Sequence, residues 1–494
     1  MKEYRNYIAG KWADAASRKT FEDRNPARWS DLVGTFPDSS AEDVDRAVRA
    51  AKEALESWRL MPAPGRGEIV RKAGDLMTAR KEAIAREMTR EMGKVLQEAR
   101  GDVQEGIDTA YYAASEGRRL FGVIAPSELS NKFNMAVRMP VGVCGLITPW
   151  NFPMAIPTWK IFPALVSGNT IVFKPAEDTP ATATTLVELL TEAGLPPGVL
   201  NLVHGHGPGA GAPLVEHPGV DLISFTGSTE VGRKIAETCG RTGKRVALEM
   251  GGKNAQIVMD DADLDLALEG VLWGAFGTTG QRCTATSRLI VHEAVHEKFL
   301  GMLIGKAGKL RVGDGSNGNA DVGPLINEQQ LRTVEKYVGI GTSEGAELRL
   351  GGSRESSGGC EEGWFFKPTI LSGVMPAMRV AREEIFGPVL SILKVKSLEE
   401  AIRLSNDIDY GLSSSIYTQN INNAYRAIRD LRAGITYVNA PTIGAEAHMP
   451  FGGVKGTGNG HREGGWTAFD IFTEWKAVYV DYSGKLQRAQ IDDV

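Results

Sequence analysis

The chain has little of what marks a secreted, membrane or nucleic-acid-binding protein. Only four cysteines, Cys144, Cys239, Cys283 and Cys360, occur in 494 residues, and none forms a C-x-x-C pair, which excludes a disulfide framework. Reduced thiols and a cytoplasmic location are the expectation. No stretch of about 18 uncharged apolar residues exists to cross a bilayer. The nearest, MAIPTWKIFPALVSG, is broken by Lys160 and by Pro157 and Pro163. The opening residues MKEYRNYIAGKW lack the apolar segment of a signal peptide. Basic clusters are missing as well: 56 Lys and Arg against 61 Asp and Glu are interspersed, so no footprint for nucleic acid is present. Internal repeats and low-complexity tracts are absent. What remains is a chain of mixed composition, long enough for two or more packed units.

The first third is mainly helical in pattern. Ser40 is the expected N-cap of a helix in which Val44, Ala47, Val48, Ala51, Leu55 and Trp58 recur at helical spacing, and two further helices are expected over about 66–92 and 97–119. From Val141 the texture changes. VGVCGLI, NTIVFKP, VLNLVHG and DLISFTG are short β-branched runs separated by helical patterns such as PATATTLVELLTEAG. The alternation resumes with NAQIVM, SRLIVH, PVLSILKV and GITYVN as strands. Strands alternating with helices predict parallel sheets, here two consecutive α/β units joined near EMGGKN. NKFNMAVRMPVG and FTEWKAVYVDYS alternate polar and apolar residues, as strands outside both sheets would, and pairing between subunits is one way to protect them.

Several residues carry possible chemistry. GTTGQRCTA puts Cys283 beside Arg282, where a cation would favour the nucleophilic thiolate; a buried structural cysteine is the alternative. Glu249 closes the apolar run RVALEM before two glycines, as a base at a strand end or as an ordinary solvated glutamate. Asn151 in ITPWNFP offers an amide to a developing oxyanion, or bonds its own turn. Gly205-x-Gly207-x-x-Ala210 approximates a dinucleotide fingerprint, although Pro208 is unusual inside one. In FTGSTEVG, Gly227 and Ser228 lead into a helix whose first N–H groups suit a pyrophosphate. Lys174 and Glu177 of FKPAEDTP follow another strand and suit ribose hydroxyls.

ITPWNFP, FKPAEDTP, FTGSTEVG, LEMGGKN, GQRC, EEIFGP and PFGGVKGTG, in this order and across nearly the whole chain, closely resemble the aldehyde dehydrogenase superfamily. The resemblance implies two consecutive Rossmann-like open parallel-sheet domains with a small β extension for oligomerisation. An NAD(P)-binding domain would comprise 1–119 and 141–251, a catalytic domain 252–453, and oligomerisation strands 120–140 and 467–485. It further implies Cys283 as nucleophile, Asn151 with the Cys283 backbone N–H as oxyanion donors, and Glu249 as the base that hydrolyses a thioester. Glu249 also weighs against the coenzyme-A-acylating branch, which lacks that base. Thr148, Trp150, Lys174, Glu177, Gly207, Gly227, Ser228 and Val231 match the adenosine and pyrophosphate side of the cofactor, and Glu384 and Phe386 its nicotinamide-ribose side. Glu177 favours NAD, since a carboxylate accepts from a ribose 2′-hydroxyl and repels a 2′-phosphate; Lys174 keeps NADP possible. A homodimer or homotetramer is implied.

GQRCTATSR, PTIGAEAHMPFGG and GNGHREGG most resemble branches that oxidise carboxylated semialdehydes, notably 2-oxoglutarate semialdehyde. Arg282 would pair with the distal carboxylate and Phe451 would line the pocket, unless Arg282 forms a structural ion pair. A broad aliphatic or aromatic aldehyde dehydrogenase is the alternative. GHRE is one residue longer than the common GRE of the family, which leaves Glu463 as an uncertain proton-relay partner. HEAVH at 292–296 matches the zinc-peptidase pattern H-E-x-x-H. It follows the strand-like SRLIV, and no Glu or His occurs between Glu297 and Glu328 to supply a third ligand. A strand-to-helix junction without metal is expected there.

Overall fold

Parallel strands buried on both faces dominate the molecule, as the uninterrupted apolar runs predict. The structure, a computed structural model, describes residues 2–491. Four short strands come first: β1 (Asn6–Ile8), β2 (Lys11–Ala13), β3 (Thr20–Arg24) and β4 (Leu32–Pro37). Helices α1 (Ala41–Leu60), α2 (Ala63–Met92) and α3 (Leu96–Glu116) follow, then β5 (Val123–Pro126) and β6 (Lys132–Pro140). The first α/β unit runs β7 (Val143–Ile147), α4 (Ala155–Ser167), β8 (Thr170–Lys174), α5 (Pro180–Glu192), β9 (Leu200–Leu202), α6 (Ala212–Glu216), β10 (Leu222–Thr226), α7 (Thr229–Thr242) and β11 (Arg245–Glu249). The second opens with β12 (Asn254–Val258), α8 (Leu264–Phe276), β13 (Thr286–His292) and α9 (Glu293–Ala307). Its remaining strands are β14 (Glu347–Leu350), β15 (Thr369–Ser372), β16 (Val389–Val395), β17 (Ser413–Tyr417) and β18 (Ile435–Val438), and β19 (Thr473–Asp481) closes the series.

Two seven-stranded sheets result, ordered β11-β10-β7-β8-β9-β1-β2 and β14-β15-β16-β13-β12-β17-β18. The chain passes between them over Met250–Lys253, within EMGGKN. In the first sheet β7 to β11 are parallel, while β1 and β2 are added antiparallel at one edge. In the second only β14 runs against its neighbour. Alternate residues of each strand face opposite layers: Ile171 and Phe173 of β8 pack under α2 to α5, and Val172 under α1. Both chain segments that read as extra strands are strands, and they pair with each other. β19 runs antiparallel to β6 from Thr473↔Pro140 to Asp481↔Lys132, with β5 beyond.

The strands before residue 40 are where the helical reading of the first third falls short. β1 and β2 have three residues each, too few to show a period, and only the edge of a finished sheet gives them partners. Ser40 does begin α1, its N–H donating to Asp43 Oδ2 at 3.1 Å. Among the described residues no helix is long and apolar enough to cross a membrane. The run MAIPTWKIFPALVSG forms α4, all of whose residues, Lys160 included, are buried.

Candidate active site

Cys283 is delivered by a strained turn. After α8 ends at Phe276, Thr278, Thr279 and Gly280 adopt left-handed φ values of 50°, 58° and 68°. A β-branched residue rarely sits there, and each such residue costs about 1–3 kcal/mol. Neighbours hold the turn: the Thr278 N–H donates to both carboxylate oxygens of Glu98 at 2.8 and 2.9 Å, and the Thr279 hydroxyl donates to the Gly323 carbonyl at 2.9 Å. Residue 280 must be glycine, because a Cβ would meet the Gly387 carbonyl oxygen at 2.2 Å. Cys283 then lies half-buried just ahead of β13, its carbonyl accepting from the Asn254 side-chain amide at 2.8 Å.

Arg282, which follows the turn, is held by groups other than the sulfur. Its guanidinium donates to Glu98 at 3.1 Å and to the Thr278 hydroxyl at 2.9 Å, and lies over the Phe152 ring. Burial, then the charges of Glu384 and Glu249, push the Cys283 thiol up to about 12. These surroundings favour the protonated thiol over the thiolate. Arg282 nevertheless lines the cavity, so the ion pair and the exposure to the cavity coexist in one side chain.

That cavity, of about 1110 Å³, is lined by Cys283, Glu249, Arg282, Phe451, Trp159 and Glu463 among others. Phe451 packs against Trp159 with ring centroids 4.6 Å apart. Glu249 stands at the carboxyl end of β11 and is only 4% exposed. Neither of its oxygens has a hydrogen-bond partner of normal geometry. Burial and then the Glu463 charge hold its carboxyl well above the ordinary range, with Lys160 and Arg462 offsetting only part. Lys160 crosses from α4 to pair with Glu463 and to donate to the Ser224 hydroxyl at 2.9 Å. Backbone pairing of Glu463 with Phe451 in both directions seats the longer GHRE segment in the wall of the cavity.

Phe152 lines this cavity, whereas the residue before it, Asn151, does not itself line it and is 2% exposed. One of its amide N–H groups donates to the Gln281 carbonyl at 3.1 Å, which leaves the second for another acceptor. Its own backbone carbonyl accepts from Lys94 Nζ at 2.7 Å, and Lys94 pairs with Asp102 at 2.8 Å. Asp102 in turn accepts the Ala155 N–H at 2.7 Å, one of the orphan donors that begin α4. The loop carrying Asn151 is thus clamped from α3.

The dinucleotide candidates gather along one edge. Chain order runs β7, β8, β9 to one side and then returns to β10 beside β7, so the switch point lies between β7 and β10, where open α/β sheets bind ligands. Thr148 and Trp150 follow β7, Lys174 ends β8 with Glu177 just after it, Gly207 follows β9, and Gly227, Ser228 and Val231 follow β10. Ser228 caps α7, its hydroxyl accepting the Val231 N–H at 3.3 Å, and the remaining first-turn N–H groups suit a phosphate. Lys174 pairs with Glu177 at 2.8 Å. Burial pushes the Glu177 carboxyl up, but the charge and hydrogen bond of Lys174 outweigh it and hold it below the usual range. Trp150 and Phe386 meet edge to face at 5.4 Å, and Glu384 accepts the Gly252 N–H at 2.9 Å. These residues fit a nicotinamide dinucleotide. The turn at Gly205 is less typical, since only the five-residue wide turn Gly207–Gly211 and the short α6 follow it, with Pro208 at the helical start where no N–H is needed.

HEAVH straddles the junction of β13 and α9. His292 caps α9, with Nδ1 accepting the Ala294 N–H at 3.3 Å and Nε2 donating to the Lys396 carbonyl at 3.0 Å. His296 is buried and pairs with Glu297. Glu98, Lys94 and Asp102 carry no local sequence signal, and Lys160 shows in the sequence only as an interruption of an apolar run. One signal was present: a lysine inside an otherwise apolar helical run requires a buried partner.

A sequence profile of the aldehyde dehydrogenase family matches residues 12–478. The alpha-ketoglutaric semialdehyde dehydrogenase of Bacillus subtilis (strain 168) is 44% identical over 477 residues, 97% of this chain and 98% of that protein. The alpha-ketoglutarate semialdehyde dehydrogenase of Haloferax volcanii is 42% identical, over 97% of this chain and 99% of that protein. Among solved structures, a NAD-dependent aldehyde dehydrogenase from Sinorhizobium meliloti superposes with a TM-score of 0.95 at 40% identity, covering 99% of this chain and 96% of that one.

Proposed function

The chain belongs to the aldehyde dehydrogenase family, and from that premise we propose that it oxidises 2-oxoglutarate semialdehyde to the dicarboxylic acid with NAD. The observation that carries the substrate is Arg282, a guanidinium in the wall of the cavity that holds Cys283 and able to receive a distal carboxylate. The names of the Bacillus and Haloferax relatives support the same substrate class.

Cys283 adds to the aldehyde carbon as its thiol proton leaves, giving a thiohemiacetal. The second N–H of the Asn151 amide and the Cys283 backbone N–H receive the developing oxyanion, and one such donor is worth about 3–4 kcal/mol. A bound nicotinamide dinucleotide supplies the hydride acceptor. Trp150, Lys174, Glu177, Gly207, Ser228 and Val231 would hold its adenosine and pyrophosphate, and Glu384 and Phe386 its nicotinamide ribose. The Glu177 carboxylate suits a free 2′-hydroxyl, hence NAD ahead of NADP. The thioester left on Cys283 is cleaved by water that Glu249 deprotonates; its raised proton affinity keeps a strong base in a dry site. The Glu463–Lys160 pair acts on Glu249 through its charges, Glu463 raising the proton affinity of the base and Lys160 lowering it.

The exposed three-stranded sheet, with Trp475 and Tyr479 on one face of β19 and Val480 on the other, supports a homo-oligomer, and four unpaired cysteines suit a reducing cytoplasm. The test is kcat/KM for 2-oxoglutarate semialdehyde, succinic semialdehyde and a neutral aldehyde with each cofactor. A preference of the wild-type enzyme for the neutral aldehyde would sink the carboxylate reading, and wild-type turnover by Cys283→Ala would sink the mechanism.

A further inference from the structure

Glu98 belongs to none of the roles so far assigned, yet it touches both the turn that delivers Cys283 and the cation beside it. It sits in the first turn of α3, far from Cys283 in sequence. Its two oxygens share the Thr278 N–H at 2.8 and 2.9 Å, and one of them takes an Arg282 N–H at 3.1 Å. Arg282 closes the ring by donating to the Thr278 hydroxyl at 2.9 Å. Glu98 and Arg282 are 13% and 12% exposed, and both line the cavity.

We propose that Glu98 is a positioning and specificity-setting residue: it holds the left-handed turn before the nucleophile, and it sets how strongly Arg282 attracts an anion. Thr278 and Thr279 keep an unfavourable backbone only while something outside the turn binds them, and Glu98 is the group that binds the Thr278 N–H. The same carboxylate is a built-in competitor. An anionic substrate that approaches Arg282 meets the Glu98 charge already on the guanidinium, so the site discriminates by charge while binding less tightly than an unpaired arginine would. Tight binding of the ground state gains nothing in turnover, so a partly neutralised cation suits an enzyme that must release a dicarboxylate product.

The specificity half rests on the carboxylated-substrate reading, whereas the positioning half does not. Both are read without cofactor by alkylating the full-length protein with iodoacetamide, which is neutral, and iodoacetate, which is anionic. Cys144, Cys239 and Cys360 are buried, so mass spectrometry follows Cys283. Glu98→Gln keeps an oxygen for the Thr278 N–H and removes the charge: the iodoacetate-to-iodoacetamide rate ratio rises by roughly tenfold, and kcat/KM for the semialdehyde rises against that for a neutral aldehyde. Arg282→Gln moves both ratios the opposite way. Glu98→Ala also frees the turn, and the iodoacetamide rate itself changes by about tenfold or more, which Glu98→Gln largely rescues. An unchanged reagent ratio in Glu98→Gln, or a wild-type iodoacetamide rate in Glu98→Ala, overturns the proposal. If the reagent ratio rises while the wild-type enzyme favours neutral aldehydes, Glu98 keeps its role and the substrate reading alone fails.

Discussion

Breaking the buried pair of Lys94 and Asp102 should damage stability and catalysis together, because both end on the loop that carries Asn151. Each side chain is 0% exposed. Lys94 makes its ion pair at 2.8 Å, donates to the Asn151 carbonyl at 2.7 Å and lies 3.9 Å from the centre of the Phe152 ring. Burial pulls the Lys94 ammonium pKa down, and the charge and hydrogen bond of Asp102 oppose that. Lys94→Met leaves a buried carboxylate with one N–H donor, from Ala155, and should cost about 3–5 kcal/mol. Asp102→Leu strands the ammonium and also orphans the Ala155 N–H, for a similar loss. In the double variant no unpaired charge remains, only the Asn151 carbonyl and the Ala155 N–H, at about 1–3 kcal/mol each. The double variant should therefore be more stable than the sum of the two single losses implies. Catalysis should not recover with it, because Asn151 has lost its anchor; a displacement near 1 Å costs on the order of 10²-fold in kcat. Urea midpoints and kcat for the three variants form a cycle. Losses that simply add, or a double variant with wild-type kcat, would refute the view that this pair positions Asn151.

Other outcomes follow from the same geometry. Glu249→Gln should leave a stoichiometric burst of NADH and lower steady-state turnover by about 10²–10⁴-fold. Only the deprotonated base works, and burial with Glu463 raises its pKa, so wild-type deacylation should rise with pH along a limb above the ordinary carboxylate range; a limb that persists in Glu249→Gln assigns it elsewhere. Glu177→Ala removes the acceptor for a 2′-hydroxyl and should lower the ratio of kcat/KM for NAD to that for NADP by about tenfold or more, and an unchanged ratio would remove Glu177 from cofactor choice. His292→Ala loses a helix cap worth about 1 kcal/mol and should leave kcat alone, whereas stoichiometric zinc that is lost with this variant would revive the metal reading.

How far the sequence could be read differs by element. β8 and β12 are buried throughout because both faces of their sheets are covered, so Ile171–Phe173 and Ile257–Val258 stand out as apolar runs. β1 and β2 carry no such signal, since an edge strand of three residues takes its identity from the strand it joins. Cys283, Glu249 and Asn151 sit beside turns with distinctive glycine and proline spacing, which marks them as candidates, each with a structural alternative until the ordered motifs are taken together. Arg282 was visible too, but its two alternatives could not be separated from neighbouring letters. The deciding partner, Glu98, is 184 positions away. The raised thiol likewise follows from Glu384, Glu249 and burial, none of them close to Cys283 in the chain.

By itself the sequence determined the long helices and the buried strands of the two sheets, though not the three-residue edge strands β1 and β2, because hydrophobic period, β-branching and backbone restriction act within a few residues. It also placed the candidate site residues Asn151 and Glu249 at or just after the ends of strands. Tertiary structure alone decided which charges are compensated. Lys160 meets Glu463 across 303 positions, and Lys94 reaches the Asn151 carbonyl across 57. Charge–charge energies depend on distance and on the exclusion of water, and both exist only after the two sheets and α3 have packed around one cavity.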